Sequence, residues 1–175
     1  MVGIMKFWKS IIIVFLLVVA FGCGAQAPGG NFLRDGVSFT YPSGWSITEQ
    51  EDLDGAGYYL SVEKAGFEAS GLVTLTWING VLDSRDYLEI IQEEYKNQKL
   101  LNGLEFQSVR DDSFNGIQSI SCDFKFNTLG MKHSGVIYVF VRGENTYSII
   151  KQEAIEDISK NKNGFELIES SFKVE

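Results

Sequence analysis

A chain of 175 residues, 45% hydrophobic and 13% aromatic, is one domain's length and too apolar for disorder. Its formal charge is −8; Lys6 and Lys9 precede all 23 acidic residues, so the part beyond residue 22 keeps 13 basic residues and a charge of −10. Such a surface repels nucleic-acid phosphates and argues against a basic patch for anionic lipid, which excludes nucleic-acid binding.

Residues 1–10 hold two lysines and no acid, and Ile11 to Phe21 is an unbroken apolar run. Eleven residues are too few to span ~30 Å of hydrocarbon, which takes ~20, so residues 1–22 are expected to be a signal peptide. Ala20-Phe21-Gly22-Cys23 resembles the lipobox of bacterial lipoproteins in a relaxed form: Leu is usual where Ala20 stands, and Phe21 is bulkier than usual. The resemblance implies cleavage before Cys23, lipid (diacylglycerol, palmitate) on its thiol, and a cell-envelope location on the extracytoplasmic side of a bacterial membrane. An ordinary signal peptide cleaved after Ala25 or Ala27, and an uncleaved anchor, remain the other readings. Residues 23–31, the lipidated cysteine and GAQAPGGN, form a flexible tether, and residues 32–175 form the domain.

Within the domain, Val37 to Tyr41 alternates as a strand. Tyr41-Pro42-Ser43-Gly44 places Pro second and Gly fourth, as in a type I turn, and predicts a hairpin with Trp45 to Thr48. The acidic stretch Glu49 to Asp54 reads as a loop. Tyr58 to Lys64 and Leu72 to Ile78 read as strands, the latter with Val73, Leu75 and Trp77 on one face. Asp83 or Ser84 caps a helix with Tyr87, Leu88, Ile91 and Tyr95 on one stripe, ended by Asn102-Gly103. Phe106 to Asp111 is expected as a strand, and Asn115-Gly116 as a two-residue hairpin turn. Ile120, Cys122, Phe124 and Phe126 alternate with polar residues. Val136 to Val141 is apolar on both faces and should be central, paired with Thr146 to Ile150. Ile155, Ile158, Phe165, Ile168 and Phe172 form a helical stripe that Gly164 is expected to break in two. The fold class is α+β, a central antiparallel sheet with helices on both faces.

GVSFTYPSGWSI, with Tyr41-Pro42-Ser43-Gly44-Trp45, and the closing Ser171-Phe172 resemble the PsbP/Mog1-like superfamily over residues 32–175. The resemblance implies an α/β/α sandwich and a tendency to bind other proteins. It implies no reaction, and no metal ligand of photosynthetic members maps onto a position here.

Catalytic constellations are missing from the sequence. His133 is the sole histidine, which rules out two-His metal motifs, and its neighbours Lys132 and Ser134 suggest a solvated strand edge. Cys122 falls in phase with apolar residues and reads as a buried hydrophobe. Asp52 and Asp54 before Gly55 are weak metal candidates, because the twelfth position of a calcium loop starting at Gln50 is Ser61 where Glu is needed. Asp111-Asp112 reads as turn chemistry. Tyr41, Trp45, Tyr58 and Tyr59 are the candidate ligand-facing aromatics, although packing around the turn explains Tyr41 and Trp45 as well. The expectation is a non-enzymatic, membrane-anchored lipoprotein without cofactor, serving as a protein-binding or assembly module for an envelope protein. The alternative is a small-ligand or cation-binding lipoprotein, using the 49–54 loop or a pocket lined by Tyr58, Tyr59 or Trp77. An unrecognised hydrolase would need two carboxylates converging in a cleft.

Overall fold

A computed structural model describes residues 28–66 and 70–175, so the signal-peptide segment and Cys23 lie outside the described residues. In chain order the elements are β1 (Gly30–Arg34), β2 (Val37–Tyr41), β3 (Trp45–Asp52), β4 (Gly57–Lys64), β5 (Gly71–Asn79), α1 (Ser84–Lys96), β6 (Asn102–Phe106), β7 (Arg110–Phe114), β8 (Ile117–Thr128), β9 (Met131–Arg142), β10 (Asn145–Ala154), a 3-10 turn (Ile155–Asp157), α2 (Ile158–Ser171) and β11 (Lys173–Val174). Eight strands make the main sheet in the order β3-β4-β5-β10-β9-β8, with β6 and β7 following one another along the outer edge of β8. A small sheet of β1, β2 and β11 stands apart, and every pairing in both sheets is antiparallel.

The two-faced strand expected at Val136–Val141 is β9, and its alternation divides the core. Ile137 and Val139 pack with Tyr87, Leu88 and Ile91 of α1. Tyr138 and Phe140 pack with Phe165 and Ile168 of α2, and with Phe39 of the small sheet. Because successive strand side chains point to opposite faces, these two clusters lie on opposite sides of β9. α1 begins as expected: Asp83 Oδ1 accepts from the Arg85 and Asp86 N–H groups at 2.8 and 3.1 Å.

Several local expectations give way to longer-range partners. β2 does not pair with β3; it joins β1 and β11, and β3 crosses to β4. The turn between them is set one residue later, with Trp45 N donating to Pro42 O at 3.1 Å, so Pro42 is first and Gly44 third. Gly44 has φ +83°, which the third position of a type II turn requires. The acids Glu49 to Asp52 continue β3 rather than form a loop, because the ladder with β4 runs out to Asp52 opposite Tyr58. The strand read at Phe106–Asp111 is two strands, interrupted where Gln107 N bonds Asp123 O. β1 starts at Gly30, two residues inside the expected tether. At the C-terminus, Ile155 and Ile158 leave the expected stripe and are exposed.

Gly164 does not break α2, which runs through it from Ile158 to Ser171. Its smallness serves Trp45 instead. The indole is 2% exposed and sits between Gly164 and Gly71, edge-on to Phe165 at 5.3 Å. A Cβ on Gly164 would lie 2.5 Å from ring atoms of Trp45. Gly164→Ala is therefore expected to lower stability by about 1–3 kcal/mol through overpacking, even though Ala suits a helix better by about 1 kcal/mol. Urea unfolding of the variant against the wild type checks this.

Candidate functional site, an open notch between two strands

The aromatics singled out in the sequence do not form one site. Trp45 and Tyr58 are core residues, which removes them as ligand-facing groups. Tyr58 stacks near Trp77 at 4.9 Å, lies under the Arg34 guanidinium at 3.9 Å and donates its hydroxyl to Gln50. Tyr59, its neighbour on β4, points to the opposite face and shares a 2.7 Å bond with Ser61; burial raises its hydroxyl above the ordinary tyrosine value. Tyr41 packs against Gly30 across the β1–β2 pairing and leans on Phe39 at 6.4 Å. The space between the sheet and α2, where Trp77 lies, is filled: the void beside Phe39, Leu60 and Phe172 is about 10 Å³.

The charged and nucleophilic candidates are also committed elsewhere. Asp52 accepts from the Gly55 N–H and pairs with Arg34 at 3.1 Å, which uses its carboxylate for turn and strand geometry, while Asp54 sits in the left-handed position of that turn. Among the described residues, no group of three or more His, Cys, Asp or Glu side chains is placed to hold a metal ion. His133 is buried and stacked on Phe126 at 5.0 Å, not solvated as its neighbours suggested, because it faces inward across from Phe126. Cys122 is fully buried, as its phase implied; it donates to Gln107 O, and burial pushes its thiol up. Asp112 is part of β7, not of a turn, and accepts from Ser121 at 2.7 Å.

The feature that sequence reasoning missed is a notch of about 560 Å³ in the main sheet, where β8 and β9 part. Their ladder runs from Thr128 opposite Met131 to Ile120 opposite Val139, and there it stops. Ile117–Ser119 keep pairing with β7, and Phe140–Arg142 keep pairing with β10. The facing edges of both segments line the notch, with Ser84 of α1 and Val174 of β11 flanking it. The three two-residue hairpins around it fix which backbone groups face inward. Phe114–Ile117, Thr128–Met131 and Arg142–Asn145 are closing pairs that bond each other, so residues in phase with Ile120 and Val139 point toward the β8–β9 gap. Gln118 and Val141 are next in phase, and each aims an N–H and a C=O into the notch without a ladder partner.

The hairpin tip beside the parting is packed into the core. Asn115-Gly116 makes the turn the sequence signalled, with φ of +45° and +77°. Its Asn115 Nδ2 donates to Phe172 O at 2.8 Å, and Phe114 stands edge-on to Phe172 and Tyr138 at 5.3 and 5.2 Å. The tip of the β7–β8 hairpin is thus held to the C-terminal segment, while Phe114 also packs on Tyr138 of β9. In the notch wall, Ser119 is 5% exposed and its Oγ has no hydrogen-bond partner. A buried hydroxyl left unpaired costs free energy unless something else satisfies it. The outer edges of the sheet are protected by contrast. β3 carries a register shift between Ile47 and Glu49 and the exposed acids Glu51 and Asp52, and β6 carries another shift between Asn102 and Glu105.

No family model and no curated protein matches the chain. Solved structures do. LpqN of Mycobacterium tuberculosis, involved in cell envelope biogenesis, is 13% identical with a TM-score of 0.49 over 84% of this chain and 85% of its own. PA94 of Pseudomonas aeruginosa, of unknown function, is 12% identical with a TM-score of 0.47 over 79% and 91%. CyanoP, the cyanobacterial PsbP of Synechocystis sp. PCC 6803, is 15% identical with a TM-score of 0.44 over 90% and 99%. A PsbP protein, the family the sequence resembles, is thus among the structures this chain is similar to, and the similarity is one of fold. No described helix is long and apolar enough to cross a membrane.

Two outcomes follow from this geometry. In native-state hydrogen exchange, the amides of Gln118 and Val141 should exchange faster than those of Ile120 and Val139, on the order of tenfold or more. Asp112 is held below the usual carboxylate range, first by the Ser121 hydroxyl bond. A depressed native value means its contribution is full above the unfolded value of about 3.9 and fades as pH falls through the native one. Asp112→Asn should then cost on the order of 1 kcal/mol at pH 7, with the gap to wild type closing below about pH 4 in denaturant titrations.

Proposed function

We propose that the chain is a lipid-anchored envelope protein and that its domain is a non-enzymatic binding module, which receives an extended segment of an envelope protein in the notch between β8 and β9. The observation that carries this is the pair of strand edges at Gln118 and Val141, which lack a ladder partner and line a notch of about 560 Å³. Strand addition uses such edges: main-chain hydrogen bonds supply affinity, and flanking pockets choose side chains. An incoming strand sits ~4.8 Å from each neighbour. It would bond Gln118 on one side and Val141 on the other, with the Ser119 hydroxyl as a further donor or acceptor. The antiparallel sheet with its two helices, α1 packing with one core cluster and α2 with the other, supports the α+β reading. Cys23 supplies the anchor through the lipobox-like Ala20-Phe21-Gly22-Cys23.

The test is a cross-linking pull-down in cells with full-length protein carrying a photoreactive residue at Arg142, beside the notch. One partner should be captured reproducibly and lost in Gln118→Pro, which removes a donor that has no strand partner and so spares the fold. Cys23→Ala should weaken capture by releasing the protein from the membrane. Equal capture by wild type and Gln118→Pro, with both variants folded by circular dichroism, would refute the notch as the binding site.

A further inference from the structure

We propose that the end of the domain from which the tether leaves is a membrane-docking face, and that Leu129 and its apolar neighbours enter the surface of the bilayer that holds Cys23. The proposal rests on the lipid-anchor reading above.

The ladders place one set of chain ends together. Gly30 pairs with Tyr41, and Gly29 lies against Pro42 and Ser43, just before Trp45 opens β3 opposite Lys64. Across the main sheet the same end continues through Glu153 opposite Gly71, Ala154 opposite His133, Met131 opposite Thr128, and Asn102 opposite Asn127. Seven residues lead from Cys23 to Gly30, which reach at most ~25 Å when fully extended. A lipid on Cys23 therefore keeps this end, and not the opposite one, close to the membrane.

The composition of this end fits a lipid surface. Leu129 is 72% exposed, and Leu100, Met131, Ile155 and Ile158 are exposed with it. Ile155 directly follows Ala154, and Leu100 comes two residues before Asn102, so both extend the same row of strand ends. Lys132, exposed between Met131 and His133, has a stem long enough to lie along apolar surface while its ammonium stays among headgroups. Single exposed apolar residues are ordinary, and Leu33, Val81 and Leu82 are exposed at the far end, but the anchored end carries more of them.

The turns make the comparison internal. Among the described residues, four non-glycine residues have positive φ: Asp35, Asp54, Asn115 and Leu129, and each is followed by a glycine. The left-handed region tolerates Asp and Asn, whereas for Leu it is sterically costly. The three polar turns lie at the opposite end, beside Glu175, Asp52 and Phe172 respectively. Among the described residues, only the turn at Leu129, at the tether end, carries a bulky apolar residue at this strained position. The exposed acids Glu51, Asp52, Asp54, Asp83 and Glu144 gather at the far end, so the strongest negative charge is turned away from the bilayer. Docking by apolar side chains beside an anchor needs no basic patch, which the charge of the domain would not supply.

The experiment uses the full chain, matured in a host that lipidates it and reconstituted into phosphatidylcholine vesicles containing doxyl-labelled lipid. Leu129→Cys and, as the far-end control, Asn115→Cys each carry a thiol-linked environment-sensitive fluorophore. The expected result is a blue-shifted emission at 129 with at least about twofold stronger quenching than at 115. Leu129→Asn suits the turn, so it should keep or raise the melting temperature while reducing the quenching of a label at Leu100→Cys. Equal quenching at 129 and 115, in protein that floats with the vesicles and carries lipid on Cys23 by mass, overturns the docking face and leaves the anchor standing. Absence of lipid on Cys23 overturns the anchor, and the docking face with it.

Discussion

A strand that is apolar on both faces cannot leave either one in water, and β9 imposes that constraint on the whole domain. Ile137 and Val139 need α1 above them; Tyr138 and Phe140 need α2 and the small sheet below. The long connection from β5 through α1 to β6 and the C-terminal return of α2 both follow from this demand. So does the crowding around Phe172, where the last turn of α2, the β7–β8 hairpin and Phe140 meet. The notch lies beside that crowding, where the tip of the β7–β8 hairpin meets the C-terminal segment.

Elements with a strong period were legible in the sequence. The alternation of Ile120, Cys122, Phe124 and Phe126, the two-faced VIYVFV run, the Asp83 cap and the Asn115-Gly116 turn all depend on near neighbours, and the structure places each as read. Misreadings fell where a distant residue decides. Pro42 to Gly44 does make a turn, but nothing local says that the strands on either side join different sheets. Gly164 looks like a helix breaker until Trp45, over a hundred residues earlier in the chain, is seen to need the space. His133 sits between Lys132 and Ser134 and still faces inward, because Phe126 lies opposite.

The notch was not legible at all, and for a plain physical reason. Its chemistry belongs to the backbone of Gln118 and Val141, and every residue type has the same N–H and C=O groups. What makes these two available is the failure of a ladder to close, a property of three-dimensional packing. Only the unpaired Ser119 hydroxyl adds a side-chain mark, and a serine in an alternating strand attracts no notice by itself. The proposed anchor is the opposite case: Ala20 to Cys23 carry nearly all of the resemblance behind that proposal, and they lie outside the described residues.

The shape of the notch limits what it can assemble. An ordinary exposed sheet edge that accepts a strand presents a new edge in its place, and growth can go on indefinitely; this is the route to fibres. The gap between β8 and β9 has a wall on each side and a floor where Ile120 meets Val139. A strand seated there is flanked on both sides, so it leaves nothing for a next one to join. For a strand received there as proposed, stoichiometry would close at one guest per domain. Backbone left open in this way would offer a docking site without becoming a seed for aggregation.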